Sequence, residues 1–125
     1  MQNDKSKFKD DFKKRLYSWV LKLIKVIESM PSNKTSEIIT KQLLRSGTSV
    51  LANYVEASSA SSKKDFINFF NYSLKSANES KMWISLLIDT KNGNVENLNA
   101  LLKELMELSR IVASSIIKMK NKNKI

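Results

Sequence analysis

The chain has 125 residues, 42% of them hydrophobic, and a formal net charge of +10, with no cysteine and no histidine. That length supports one domain with its own core and is too short for two. The missing residues exclude disulfides and thiolate metal sites, and remove the commonest general base and transition-metal ligand.

Gly occurs twice and Pro once, so long uninterrupted elements with few tight turns are expected. No apolar run approaches the ~20 residues of a membrane span. The N-terminus, MQNDKSKFKDDFKKR, lacks the apolar segment of a signal peptide. A soluble cytoplasmic protein is expected.

The first predicted helix covers residues 5–30. Phe12, Leu16, Trp19, Leu23, Val26 and Met30 form one heptad stripe, with Tyr17, Val20, Ile24 and Ile27 beside it. Lys13, Lys14, Lys22 and Lys25 lie largely off both stripes. Pro31 disfavours helical geometry in the residue before it and ends the helix. Thr35 or Ser36 can cap the next one.

The second predicted helix, residues 36–58, holds the stretch QLLRSGTSVLANYVEA. Ile38, Gln42, Arg45, Ser49, Ala52 and Glu56 recur at steps of four and three, the stripe of a helix facing a partner. Apolar and small residues surround most of the circumference, so this helix is expected inside a bundle. Charges on a buried seam need partners; Glu56 and Glu79 are the candidates for Arg45.

Ser62 and Asp65 stand at capping-box spacing and start a third helix, residues 63–90. Phe66, Phe70, Ser73, Ala77, Ser80, Ile84 and Leu87 form its stripe. A second runs through Phe69, Tyr72, Ser76, Glu79, Trp83 and Leu86, with Glu79 as its single charge. Asn92-Gly93 signals a turn, with Gly suited to the left-handed position after a helix.

Asn94 caps a fourth helix, residues 95–120, carrying Leu98, Leu101, Leu102, Leu105, Leu108, Val112, Ile116 and Met119. A basic tail, residues 118–125, with Lys118, Lys120, Lys122 and Lys124, is expected to be frayed. Each helix spans roughly 30–40 Å at 1.5 Å per residue. Short connections make neighbours antiparallel, so the expected fold is an all-α, up-down-up-down four-helix bundle.

The positive charge is nearly all lysine; the arginines are Arg15, Arg45 and Arg110. Lysine suits non-specific phosphate contact, whereas arginine is the usual reader of guanine. Lys13, Lys14, Lys22, Lys25, Lys118, Lys120, Lys122 and Lys124 are the candidate phosphate contacts. Lysine-rich composition alone is the competing explanation of the charge.

Catalysis finds little support in the sequence. A nucleophilic serine needs a base, which only lysine or a carboxylate could supply. Glu56 and Glu79 could pair as carboxylates, but di-metal bundle sites use Glu-x-x-His motifs. Gly47 and Gly93 stand alone, so no phosphate loop exists. No enzyme activity, cofactor or metal is expected. Trp19, Trp83, Phe66, Phe69, Phe70 and Tyr72 could stack bases, but most fall on core stripes, and the core reading is preferred.

Gln42 to Val50 (QLLRSGTSV), Asn53, Glu56-Ala57, Asp65-Phe66, Ser76-Ala77, Glu79 and Trp83 together resemble a bacterial four-helix bundle family. Its members are encoded in intervening sequences of 23S ribosomal RNA genes. The family is related to the accessory variability determinants of diversity-generating retroelements. Many relatives have Glu-Gly where this chain has Glu56-Ala57, a departure expected to alter the helix end and not the fold.

The resemblance implies a ring-shaped homo-oligomer, a homopentamer. It also implies RNA or DNA binding through a basic surface and, in the retroelement branch, a reverse transcriptase as partner. It carries over Arg45, Ser49, Glu56 and Glu79 as a structural polar network. A protein-interaction scaffold, with nucleic acid incidental, is the alternative.

Overall fold

The computed structural model describes residues 4–122, with side chains from residue 7 onward. Four helices and no strands occur among the described residues: α1 (Asp4–Glu28), α2 (Lys34–Ala57), α3 (Lys63–Asp89) and α4 (Val95–Asn121). Each packs on two others, α1 and α3 each lying against α2 and α4. The result is an all-α four-helix bundle.

The helix ends follow local chemistry. α1 stops at Glu28, and the N–H groups of Ser29 and Met30 close a last turn before Pro31. Asn33 caps α2, accepting from the Ser36 N–H at 2.9 Å, and not Thr35 or Ser36 as expected. Ser62 caps α3 through the Asp65 N–H, and Asn94 caps α4 through the Asn97 N–H. α2 ends at Ala57 itself, whose side chain is buried.

The turn after α3 departs from expectation. Lys91, at φ 58°, takes the left-handed position directly after the helix. The Asn92 N–H reaches back to the Leu87 carbonyl at 2.9 Å and the Lys91 N–H to Ile88 at 3.1 Å, the paired bonds of a Schellman motif. Gly93, at φ 95°, supplies a second positive-φ residue two places later. α4 also continues helically through Lys118 and Lys120 to Asn121, so the frayed segment cannot begin at Lys118.

The core is drawn from all four helices. Leu16, Trp19, Leu23, Leu43, Ile84, Leu87, Leu98, Leu105 and Leu108 are its largest fully buried side chains. Each such aliphatic side chain stabilises the fold by about 1.5–3 kcal/mol. The buried Trp19 indole donates to the Leu101 carbonyl at 3.0 Å and fixes α1 against α4.

Small residues line the α2–α3 contact: Ser46, Ser73, Ala77 and Ser80 are all buried. Their hydroxyls are satisfied. Ser46 Oγ lies 2.7 Å from Ser80 Oγ, and Ser73 Oγ donates to the Val50 carbonyl at 2.8 Å. A buried hydroxyl left unpaired would cost about 1–3 kcal/mol.

α2 is oriented differently from the sequence expectation. Its buried face is Ser36, Ile39, Thr40, Leu43, Ser46, Gly47, Val50 and Ala57. The stripe Ile38, Gln42, Arg45, Ser49, Ala52, Glu56 faces outward, with Ile38, Arg45, Ala52 and Glu56 exposed. Two stripes on this helix can each pass for a core face. The hydroxyl-bearing Ser46 and the bare Gly47 take the interior because they admit neighbouring helices closely. Arg45 and Glu56 would have needed desolvation there. On α1 the second stripe is likewise split, with Val20 buried and Tyr17 exposed.

Candidate nucleic-acid interface and the outer polar network

α2 and α3 place Arg45 and Glu79 side by side on the outer surface as an ion pair. The Trp83 indole donates to the same carboxylate oxygen of Glu79 at 2.8 Å. Arg45 Nε also donates to the Gln42 side chain at 3.1 Å. Ser49 joins through its own helix, its hydroxyl donating to the Arg45 carbonyl at 2.8 Å.

Glu56 lies eleven residues beyond Arg45, about 16 Å along the axis. It is exposed, and no hydrogen bond among the described residues joins its side chain to the network. Of the four polar residues, the fold thus brings together Arg45, Ser49 and Glu79 and leaves Glu56 apart. Exposed apolar side chains also occur on the same two helices: Ile38, Leu44 and Val55 on α2, Tyr72, Met82 and Leu86 on α3.

A second ionic cluster escaped the sequence reading. Arg15 on α1 forms a two-pronged contact with Glu104 on α4, Nε at 3.0 Å and the terminal nitrogen at 2.7 Å. It also reaches Glu107 at 2.9 Å. The Arg15 hydrogen bonds hold the Glu104 carboxyl below the usual carboxylate range, and Glu104 in turn raises Arg15 above its ordinary value. Nothing in the local sequence marks this pair, because its members stand 89 residues apart.

The candidate lysines do not form one patch. Lys13, Lys14, Lys22, Lys25, Lys118, Lys120 and Lys122 are all exposed; Lys124 lies outside the described residues. Lys22 and Lys25 border an open groove of about 590 Å³ between α1 and α4, with Trp19, Asn97, Leu101 and Glu104. Lys13 and Lys14 flank Asp10 and Tyr17 near the start of α1.

Lys118 borders a different cleft, of about 330 Å³, lined by residues near the starts of α1 and α3 and near the ends of α2 and α4. Its walls are mostly aromatic. Phe12 and Tyr54 have ring centroids 5.0 Å apart, Tyr54 and Phe70 5.5 Å, and Phe66 and Phe70 4.7 Å. The sequence reading had named Phe66 and Phe70 but missed Phe8, Phe12 and Tyr54 as their neighbours. The signal was the one-turn spacing that Phe8 and Phe12 on α1 share with Phe66 and Phe70 on α3. Burial raises the Tyr54 phenol above its ordinary value, and the charge of Asp10 adds to it.

No group of three or more acidic or metal-ligating side chains gathers among the described residues. No described helix is long and apolar enough to cross a membrane.

These features define a small helical-bundle protein with a polar network on one outer face and lysines at its ends. The model of the 23S rRNA-intervening sequence protein family matches residues 10–114, and the chain belongs to that family. A crystal structure of a protein of unknown function from the S23 ribosomal protein family of Bacteroides thetaiotaomicron is similar throughout. It is 34% identical, with a TM-score of 0.77 over 84% of this chain and 97% of that one. No curated protein matches the sequence.

Proposed function

We propose that this chain is a non-enzymatic, cytoplasmic bundle of up-down-up-down topology that assembles with copies of itself and binds RNA or DNA through its lysine-rich surfaces. The observation that carries the nucleic-acid reading is the net charge of +10, displayed on exposed lysines of α1 and α4. Such a surface attracts polyanions, and lysine heads favour phosphate over base edges.

The outer stripe on α2 supports self-association. Its heptad spacing is that of a helix facing a partner, and Ile38 within it and Tyr72, Met82 and Leu86 on the adjoining α3 are apolar yet exposed. Covering this face would desolvate Arg45 and Glu79, which already satisfy each other. A ring of five follows from the family resemblance, not from the protomer's geometry.

Two measurements test the reading. Affinity for RNA and DNA should fall steeply with the logarithm of salt concentration as lysines replace counterions; no binding at low salt would end it. Mass in solution should be a multiple of the protomer, and a monomer at all concentrations would remove the ring.

The same apolar outer face favours one other reading, an accessory scaffold for a reverse transcriptase or another partner protein. A protein partner retained after nuclease treatment would favour the scaffold.

A further inference from the structure

We infer that the aromatic cleft at the start of α1 and α3 is a stacking site for an unpaired nucleobase, so the preferred ligand is single-stranded. This deepens the nucleic-acid reading and rests on it.

The cleft combines the two features that single-strand binding requires, aromatic faces and a cationic surround. Phe8 is 55% exposed at its mouth, and its ring lies nearly parallel to that of Phe12, at 14° with centroids 6.4 Å apart. Phe66 is half-buried opposite, and Lys9 Nζ sits 5.8 Å from the centre of its ring. Ile111 and Met119 of α4 complete an apolar wall.

Lys9 and Lys118 border the cleft itself, with Lys64, Lys120 and Lys122 exposed on the adjoining helix ends. Asp10, Asp11 and Asp65 are the nearby acids. The local balance therefore remains positive, where the phosphates flanking a stacked base would run.

The lining also says what the site cannot read. Its hydroxyls are engaged with backbone: Ser115 donates to the Ile111 carbonyl at 2.9 Å, and Tyr54 to the Lys9 carbonyl at 3.4 Å. With few free donors or acceptors facing the cleft, recognition of base edges is weak and the site accepts any base. A duplex, whose bases are already stacked and paired, has nothing to place there.

The experiment titrates the full chain with a short single-stranded oligonucleotide of mixed sequence carrying one 2-aminopurine, and with the matching duplex. The expected result is quenching of the 2-aminopurine on binding, with the single strand bound more tightly. Phe8→Ala removes an exposed ring and leaves the core intact, which an unchanged melting temperature verifies. It should weaken single-strand binding by at least about fivefold, the low end for one base–aromatic stack, and leave duplex binding unchanged. Lys118→Gln should weaken both and flatten the salt dependence.

Single strand and duplex bound equally, with Phe8→Ala neutral, would overturn the stacking site while nucleic-acid binding stands. Absence of binding to either at low salt would overturn both.

Discussion

Arg45 of α2 and Glu79 of α3 pair across the outer face of the bundle, with the Trp83 indole held by the same carboxylate. The side chains are 56% and 35% exposed, so in the protomer the pair is a solvated contact. Screening by water limits its contribution to about 0–1 kcal/mol there. In an assembly that covers this face, the same pair would be desolvated, and loss of one partner would cost about 3–5 kcal/mol.

Arg45→Ala therefore separates two situations. Urea unfolding at dilute, monomeric concentration should shift by no more than about 1 kcal/mol. Light scattering at high concentration should show a marked loss of the assembled species. An assembly unaffected by the substitution would place the interface on another face.

Gly47 sits where α2 crosses α1. A Cβ there would run into the Leu23 side chain, itself fully buried, with Trp19 beside it. Gly47→Ala should gain about 1 kcal/mol of helix propensity and lose about 1–3 kcal/mol to overpacking. Net destabilisation in chemical denaturation is expected. The double variant Gly47→Ala, Leu23→Ala should be less unstable than the sum of the two, because the second change removes the obstructing methyl.

At the end of α3, Lys91 holds a left-handed conformation that side chains other than Gly adopt at a cost of about 1 kcal/mol. Lys91→Gly should raise the melting temperature. Gly93→Ala should lower it, since Gly93 also has positive φ and a Cβ there would press on the Met30 side chain. Opposite shifts at two nearby positions would confirm which residue closes the helix.

The Arg15–Glu104 contact makes a pH prediction. Arg15 depresses the Glu104 carboxyl in the folded state, chiefly through hydrogen bonds. The associated stability is fully present above the unfolded carboxyl's value, near pH 4.3, and is lost as the pH falls through the lower folded value. Glu104 is only partly exposed, but solvent screening still moderates the effect. Glu104→Gln should remove part of the acid-side decline in stability measured from pH 6 to pH 3.

The number and extent of the helices were legible because their apolar stripes run for six or seven turns between clear breaks. Leu16, Trp19 and Leu23 could face only inward. α2 was different. Its outer stripe has the regular heptad spacing but only Ile38 and Ala52 as apolar members, whereas the buried face carries Ile39, Leu43, Val50 and Ala57. Spacing alone favoured the wrong one, and how closely Ser46 and Gly47 let neighbouring helices approach is a property of the packed bundle. The Asn33 cap was missed because Thr35 and Ser36 are equally competent by type; the backbone geometry selects Asn33.

The candidate site was legible in parts. Glu79 and Trp83 stand one turn apart, so their hydrogen bond was written in the local spacing, and Arg45 was named as a partner from charge alone. The aromatic cleft was less accessible, because its walls come from four helix ends. Only the folded chain juxtaposes Phe12 with Tyr54 and Tyr54 with Phe70.

The side-chain amide of Asn33 donates to that of Asn92 at 2.8 Å, linking the loop after α1 to the loop after α3. Asn92 is buried, and it donates in turn to the Thr90 hydroxyl at 2.9 Å. This clasp bridges 59 residues, so neither helical hairpin can form it alone. Its closure reports that the two halves of the chain have docked, and slow hydrogen exchange of the Asn33 side-chain amide, the donor that crosses between the loops, would mark the molecule as a single cooperative body.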